Sequence, residues 1–386
     1  MGEWVRALRG VGKSTLATVV VVAVLAVLLM WQPGSSGDAQ TGTAPLTGRS
    51  RDLTSEGLGL SVEQAVAEMV TLLPKASIPA IYEPTFVSAL EGDGFLAADD
   101  LVIGVVIDGE AHAYGTAFLG RHEIVNDVVG GRAVAVTWCP LCFTALLYAR
   151  EFPGREAPLR FGVSGKLIRN ALVMYDRETD TLWSQFLGVA VAGELLGASL
   201  ESLPSQLMEW AAWKVLHPET VVLEQEERVF DRYTPYYEGV VVGVFGERHG
   251  DGRLGPKEFV LGLQLPGFQR AYAFRDLSEF PVVNAHLGDT ALVVVFDADL
   301  GTGVAFNREV DGRLLTFDRV VERSDGRLML RDRETRTLWA GMTGVALGGE
   351  LEGERLEQLT FTQMFWFAWT DYYEQGPLWE PPGSVQ

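Results

Sequence analysis

The sequence predicts an α+β protein, rich in strand, in which two tandem copies of one mostly antiparallel unit each end in a helix. Three observations predict it. Hydrophobic residues are 47% of the 386, enough for packed cores in about two domains, while 43 Gly and 17 Pro break the chain into short elements. Runs of β-branched and aromatic residues of strand length recur along it. The chain also resembles itself: Asp176 to Trp183 reads DRETDTLW and Asp332 to Trp339 reads DRETRTLW, the same at seven of eight positions.

The self-similarity extends well beyond that segment. GVAVAGEL at 188–195 answers to GVALGGEL at 344–351, and Trp210 and Trp213 answer to Trp366 and Trp369, all at an offset of 156. Upstream the offset is 158, pairing Gly104 with Gly262, Tyr114 with Tyr272, Asn126 with Asn284 and Gly130 with Gly288. Residues of about 95–220 and 256–373 therefore read as two copies of one unit.

A helix over about Val62 to Leu73 is expected before the first copy. Within each copy, LVIGVVI (101–107) and FVLGLQL (259–265), AVAVTW (133–138) and ALVVVF (291–296), and 143–150 and 303–310 read as strands. The two DRET segments suit a turn opening a short strand, with Asp bonding the turn backbone and a buried Asp176–Arg177 pair as the plain structural role. Leu207, Trp210, Ala211 and Val215 space an apolar helix face behind Ser202 and Pro204, and Phe361, Phe365 and Trp369 do the same in the second copy. The resulting division is a basic segment (1–13), a transmembrane anchor or signal (14–31), a linker (32–60), the first repeat (61–235), a connector (236–255), a degenerate second repeat (256–379) and a tail (380–386).

The N-terminal division rests on Leu16 to Trp31, sixteen residues without a charge, extended to eighteen by Ser14 and Thr15. That is the lower end of what a membrane span of ~17–25 residues needs. Arg6, Arg9 and Lys13 precede it and place the N-terminus in the cytoplasm, with the rest outside. Two readings stay open, an uncleaved anchor in the cell membrane and a cleaved signal releasing a secreted chain. GVGKST at 10–15 mimics the end of a phosphate-binding loop, but Ala7 stands where that loop needs Gly and no strand precedes it. The segment after the apolar run, rich in Gly, Ser, Thr and Pro, reads as an exposed linker.

Net charge is −20, with 31 Lys plus Arg against 51 Asp plus Glu, which argues against nucleic acid as the main partner. Two cysteines exclude a disulfide-rich scaffold and any zinc site made of Cys alone. Those two, Cys139 and Cys142, are three apart with Pro140 between them and Trp138 before them. The second copy has Asp297-Ala298-Asp299-Leu300 in their place. Core positions persist between copies and reactive ones do not, so the first copy is expected to be active and the second structural or regulatory.

Three readings of the pair stay open. Close spacing suits reversible exchange, with Cys139 attacking as the more exposed thiol, Cys142 resolving, and His122 or Glu123 relaying the proton. Copper or zinc could be held by Cys139, Cys142 and His122 if their strands are adjacent. An inert disulfide or a pair of buried thiols, in a non-enzymatic β-rich scaffold module, is the third. Trp138, Asn126, Asp127, Ser164, Ser184 and Gln185 form a polar and aromatic set around the pair, read as substrate-binding. A local Trp-Cys-x-x-Cys likeness to thioredoxin does not extend to the fold, because a strand follows where thioredoxin has a helix. The stretch GVSG (162–165) falls one residue short of a nucleophile elbow, against a serine hydrolase.

HEIVNDVVGG (122–131), VTWCPLCFTALLYAR (136–150), FGVSGKL (161–167), LVMYDRETDTLWSQ (172–185) and GVAVAGELL (188–196) occur in one order, with SIPAIYEPTFVSA (77–89), AWKVLHPETVVL (212–223) and RYTPYYEG (232–239) as further blocks. Over about residues 75–375 the chain closely resembles the domain of unknown function 3179 family. The resemblance implies an exported bacterial or archaeal protein, often with a signal or anchor, whose activity is unassigned. It also implies relatives described as selenoproteins, which favours redox work at the motif cysteines. Phe143 departs from the small residue, such as Gly, expected there.

Overall fold

The computed structural model describes residues 61–320 and 328–383. The expected N-terminal segments (1–13, 14–31 and 32–60) fall outside the described residues. Among the described residues no helix is long and apolar enough to cross a membrane. The fold is α+β with strand predominating: short sheets, almost wholly antiparallel, joined by helices of four to seven residues.

In the first half, Leu101–Ile107 and Glu110–Gly115 form a hairpin flanked by Gln206–Glu209 on one side and Val221–Leu223 on the other. The latter supplies a parallel pairing, Val221 with His112. Ile124–Val129, Arg132–Cys139 and Thr144–Ala149 form a meander, and Phe161–Ile168, Ala171–Asp176, Leu182–Ser184 and Val189–Ala192 form another. In the second half Phe259–Leu265, Phe268–Ala273, Val282–Leu287, Thr290–Asp297, Thr302–Asn307, Phe317–Val320, Met329–Asp332, Leu338–Ala340 and Ala346–Gly348 follow in the same succession.

Positions paired by sequence make the same bonds. Asp176 accepts from the Thr179 amide and from Trp183 Nε1 (2.9 Å), and Asp332 accepts from the Thr335 amide and Trp339 Nε1 (3.0 Å). Asn126 brackets the backbone of Phe161 as Asn284 brackets that of Phe317. Gly104 and Gly262 are required by close packing: a Cβ on either would stand 2.2 or 2.4 Å from the Trp213 or Trp369 ring.

Three expectations are corrected. The first helix spans only Val62–Ala67, capped by Ser61 and Gln64, and Met69–Thr71 turns to pair with Lys166–Ile168. The terminal helices begin later than their apolar spacing suggested. Gln206–Glu209 and Phe361–Phe365 are strands that extend a hairpin, and only Trp210–Leu216 and Trp366–Tyr372 are helical. Four-residue spacing across a strand-to-helix junction imitates a single helix face. Finally, Arg177 does not pair with Asp176; its guanidinium lies 4.7 Å from the centre of the Tyr82 ring.

The halves interlock. Helix Trp366–Tyr372, buried at all seven positions, joins the core of the first half together with Val260, Ala271 and Ala273. Burial of that many aromatic side chains contributes on the order of 2 kcal/mol each.

Candidate active site

Strand Arg132–Cys139 ends at Cys139, a tight turn carries Pro140, Leu141 and Cys142, and Thr144 pairs back across from Cys139. Phe143 closes the turn at φ +58, in the left-handed region that favours glycine. The corresponding residue of the second half is Gly301 at φ +60, which gives the physical reason for expecting a small residue here. Phe143 tolerates the strain because its ring is gripped by Trp138, Tyr237, Phe259 and Phe365, with centroids 4.8 to 5.3 Å away.

Both cysteines are free and buried, Cys139 at 2% and Cys142 at 1% exposure. The expectation that Cys139 is the exposed member is therefore corrected. What distinguishes the two is hydrogen bonding. The Cys142 thiol and the backbone amides of Cys142, Leu172 and Leu141 all donate to Cys139 Sγ, and together they lower its pKa despite burial. Burial, then the neighbouring Cys139, holds the Cys142 thiol well above 9. In its protonated form Cys139 Sγ faces the Asn170 carbonyl at 3.7 Å.

The second half shows what this turn is built to hold. Asp297, at the position of Cys139, accepts from the amides of Asp299 (3.1 Å) and Leu300 (3.4 Å) with Oδ1. Those amides correspond to Leu141 and Cys142. The same turn thus cradles a carboxylate in one half and a sulfur in the other, as successive backbone N–H groups do for anions.

Glu123 is a buried acid that feels the charge on Cys139. It is 9% exposed, its backbone has φ +60, and its carbonyl accepts from the Trp138 amide. Burial, and then the charge on Cys139, push its pKa up to about 8, with Arg232 opposing. At neutral pH it carries a proton beside the sulfur.

His122 is not brought to the cysteines. Its Nδ1 donates to the Pro79 carbonyl at 2.7 Å and its ring lies on Phe118. Among the described residues no three His, Cys, Asp or Glu side chains are placed to hold a metal ion, so the Cys139–Cys142–His122 set for copper or zinc does not form.

The polar set divides by location. Asn126 spends its amide on the backbone of Ile81 and Phe161, and Asp127 belongs to a separate buried cluster with His112 Nδ1 (2.9 Å) and Tyr114 Oη (2.5 Å). Ser164 donates to the Val173 carbonyl in a strand bulge. Gln185 lies behind the cysteine turn, bonded to Thr137 Oγ1 (3.0 Å) and Thr144 Oγ1 (3.3 Å). Ser184 Oγ accepts from the Leu187 amide (3.3 Å), and the Tyr372 hydroxyl donates to the Ile168 carbonyl (2.9 Å). Trp138 borders the turn, and its buried Nε1 has no partner among the described residues; nor has Tyr237 Oη.

Sequence reasoning missed the cover. Tyr236 Oη donates to the Leu141 carbonyl (2.7 Å) and accepts from the Gly243 amide (2.9 Å), so Thr234–Glu238 and the loop after it lie over the cysteine turn. Asn170 anchors that loop through the amides of Val244 (2.8 Å) and Phe245 (3.2 Å), and Asp371 through the amide of Arg248 (2.6 Å). Three tyrosines in RYTPYYEG were the available signal. Asn170 and Asp371 carried none, because their role depends on a contact 201 residues apart. The second half closes the site: the Phe365 amide donates to the Cys142 carbonyl at 3.2 Å.

A family model described as Protein of unknown function (DUF3179) matches residues 75–376, which cover the cysteine turn, its cover and both halves. The chain belongs to the DUF3179 family. No curated protein and no solved structure matches it. The DUF3179 match begins just before the loop that carries Pro79 and Tyr82 and ends just after helix Trp366–Tyr372.

Proposed function

We propose that this DUF3179 protein is a thiol/disulfide redox protein acting through Cys139 and Cys142, held outside the cytoplasm by its N-terminal apolar segment. The observation that carries the reading is the amide cradle. It receives a carboxylate in the second half and Cys139 Sγ in the first, which favours a thiolate at Cys139 while Cys142 stays protonated. One nucleophile and one protonated resolving thiol are what exchange requires.

The step balances as follows. The Cys139 thiolate attacks one sulfur of a partner disulfide, forming a mixed disulfide and releasing a partner thiolate. Cys142 loses its proton to that thiolate and attacks Cys139 Sγ. The second partner thiolate leaves and takes a proton from Glu123. The protein gains a Cys139–Cys142 disulfide and the partner gains two electrons and two protons. Because both sulfurs are buried, the segment carrying Tyr236 must lift for a protein disulfide to reach them.

The test is a redox titration of the full chain in graded dithiothreitol ratios, with alkylation and mass spectrometry. A reversible two-electron step between about −120 and −270 mV supports exchange. A bond more stable than about −300 mV, or thiols that never pair, refutes it. A Cys139→Ser variant that retains exchange would remove Cys139 from its role.

A further inference from the structure

A partly open cavity of about 290 Å³ lies away from the cysteine cover, between the loop at 76–82 and one end of the paired strands Phe161–Ile168 and Ala171–Asp176. Ile78, Pro79, Val163, Tyr82, Tyr175 and Arg177 line it. The cations around it are mostly spoken for. Lys75 is paired with Asp180 and Arg160 with Glu178. The Arg177 guanidinium has no carboxylate partner among the described residues; it lies over the Tyr82 ring at 4.7 Å. The Tyr82 hydroxyl and the Tyr175 ring both lie against Gly162.

The second half again provides the comparison. Arg333 occupies the position of Arg177, as their amides show by accepting the same strand register: Arg177 N donates to Arg160 O and Arg333 N to Thr316 O. Arg333 is clamped by Asp318 through two bonds, Nε at 2.8 Å and an Nη at 2.7 Å. The residue at the position of Asp318 in the first half is Gly162, next to Phe161 as Asp318 is next to Phe317. The internal carboxylate is gone, its guanidinium remains, and Tyr82 and Tyr175 take up the position its side chain would hold, leaving the cavity beside them. A Cβ on Gly162 would come within 2.7 Å of Tyr82 Oη and of the Tyr175 ring, so this glycine is also what lets the two tyrosines close in.

We propose that this cavity is a binding site for a small aromatic carboxylic acid, its carboxylate taken from the cavity side by Arg177 with the same forked contact that Arg333 makes to Asp318. Planar guanidinium forks match carboxylates with two parallel hydrogen bonds. Ile78, Pro79 and Val163 supply an apolar wall and the tyrosines supply ring faces for a flat body. The volume sits at the low end of the ~300–1,000 Å³ of small-molecule sites, which restricts the occupant to about one ring. With Glu178 and Asp180 close by and a chain charge of −20, only an anion that makes the forked contact overcomes the surrounding field. The site shares no residue with the cysteine turn, so it stands or falls separately from the redox reading.

The experiment is calorimetric titration of the full chain with benzoate and with benzamide, its neutral isostere, in wild type, Arg177→Gln and the matched control Arg333→Gln. Arg177 is exposed, so its replacement leaves the fold intact, and thermal melting verifies this. The expected result is saturable 1:1 benzoate binding, weakened at least about tenfold by Arg177→Gln and by the benzamide substitution, and unchanged by Arg333→Gln. No saturable binding of benzoate up to about 10 mM overturns the proposal, as does equal affinity in Arg177→Gln or an equal loss in Arg333→Gln.

Discussion

Glu123 gives the sharpest test of the site's electrostatics. Its carboxyl moves from 4.5 to about 8 on folding, through burial first and the charge on Cys139 second. At about 1.4 kcal/mol per pH unit, ionising it in the folded chain costs roughly 5 kcal/mol, comparable to the stability of a whole domain. A folded pKa above the unfolded one means the contribution is fully present below pH 4.5 and is lost as pH rises through about 8. Glu123→Gln keeps the shape and removes the titration. Urea midpoints at about pH 5.5 and 8.5 should therefore fall steeply for wild type and much less for the variant, the two profiles diverging by several kcal/mol. Cys139→Ser removes the neighbouring charge while leaving the burial, so its profile should lie between them. Parallel profiles for wild type and Glu123→Gln would refute the placement of a protonated carboxyl beside the sulfur.

Tyr236→Phe deletes both bonds that tie the cover to Leu141 and Gly243; a loss of about 1–3 kcal/mol is expected, with faster reaction of the cysteines toward a small aromatic disulfide. An unchanged reaction rate would show that Tyr236 does not hold the cover. Gly104→Ala drives a methyl into the Trp213 ring and should cost about 1–3 kcal/mol or more by chemical denaturation; a neutral result would place the tryptophan elsewhere. His112 sits between Asp127 (2.9 Å) and Glu110 (2.8 Å). Burial alone would lower its pKa, yet the two carboxylates win and raise it above 6.5, so its stabilisation is present below that pH and is lost as pH rises through the raised midpoint. NMR titration of the ring should return a midpoint above 6.5, and one at or below 6.5 would contradict the cluster.

Much of the scaffold could be read before any coordinates. The strands around 101–107, 133–138 and 259–265 declared themselves because β-branched runs bounded by turn residues have few other uses. The DRET turns were legible because Asp176 and Asp332 bond locally. The terminal helices were placed too early because Leu207 and Phe361 lie on strands whose pairing partners are about a hundred residues away. At the site, the alignment of Cys139 with Asp297 was visible, but read as a lost reactive residue. Its meaning, two anion-like groups in one amide cradle, depends on backbone geometry that composition does not encode. Asn126 looked functional and proved to be a clasp between sheets. Arg177 looked structural because it recurs, and only the change from Asp318 to Gly162 shows that the two arginines have different company.

Helix Trp366–Tyr372 has a temporal consequence. The residue that caps it, Phe365, closes a cysteine turn more than 220 positions earlier, its amide donating to the Cys142 carbonyl. During vectorial synthesis, the two thiols emerge long before their lid exists. For that interval they stand open to any thiol-reactive molecule the chain meets. Contacts of such sequence separation also form slowly, which lengthens the window. The order in which the chain appears thus gives this molecule one period of free access to its sulfurs, after which entry depends on the Tyr236 segment alone.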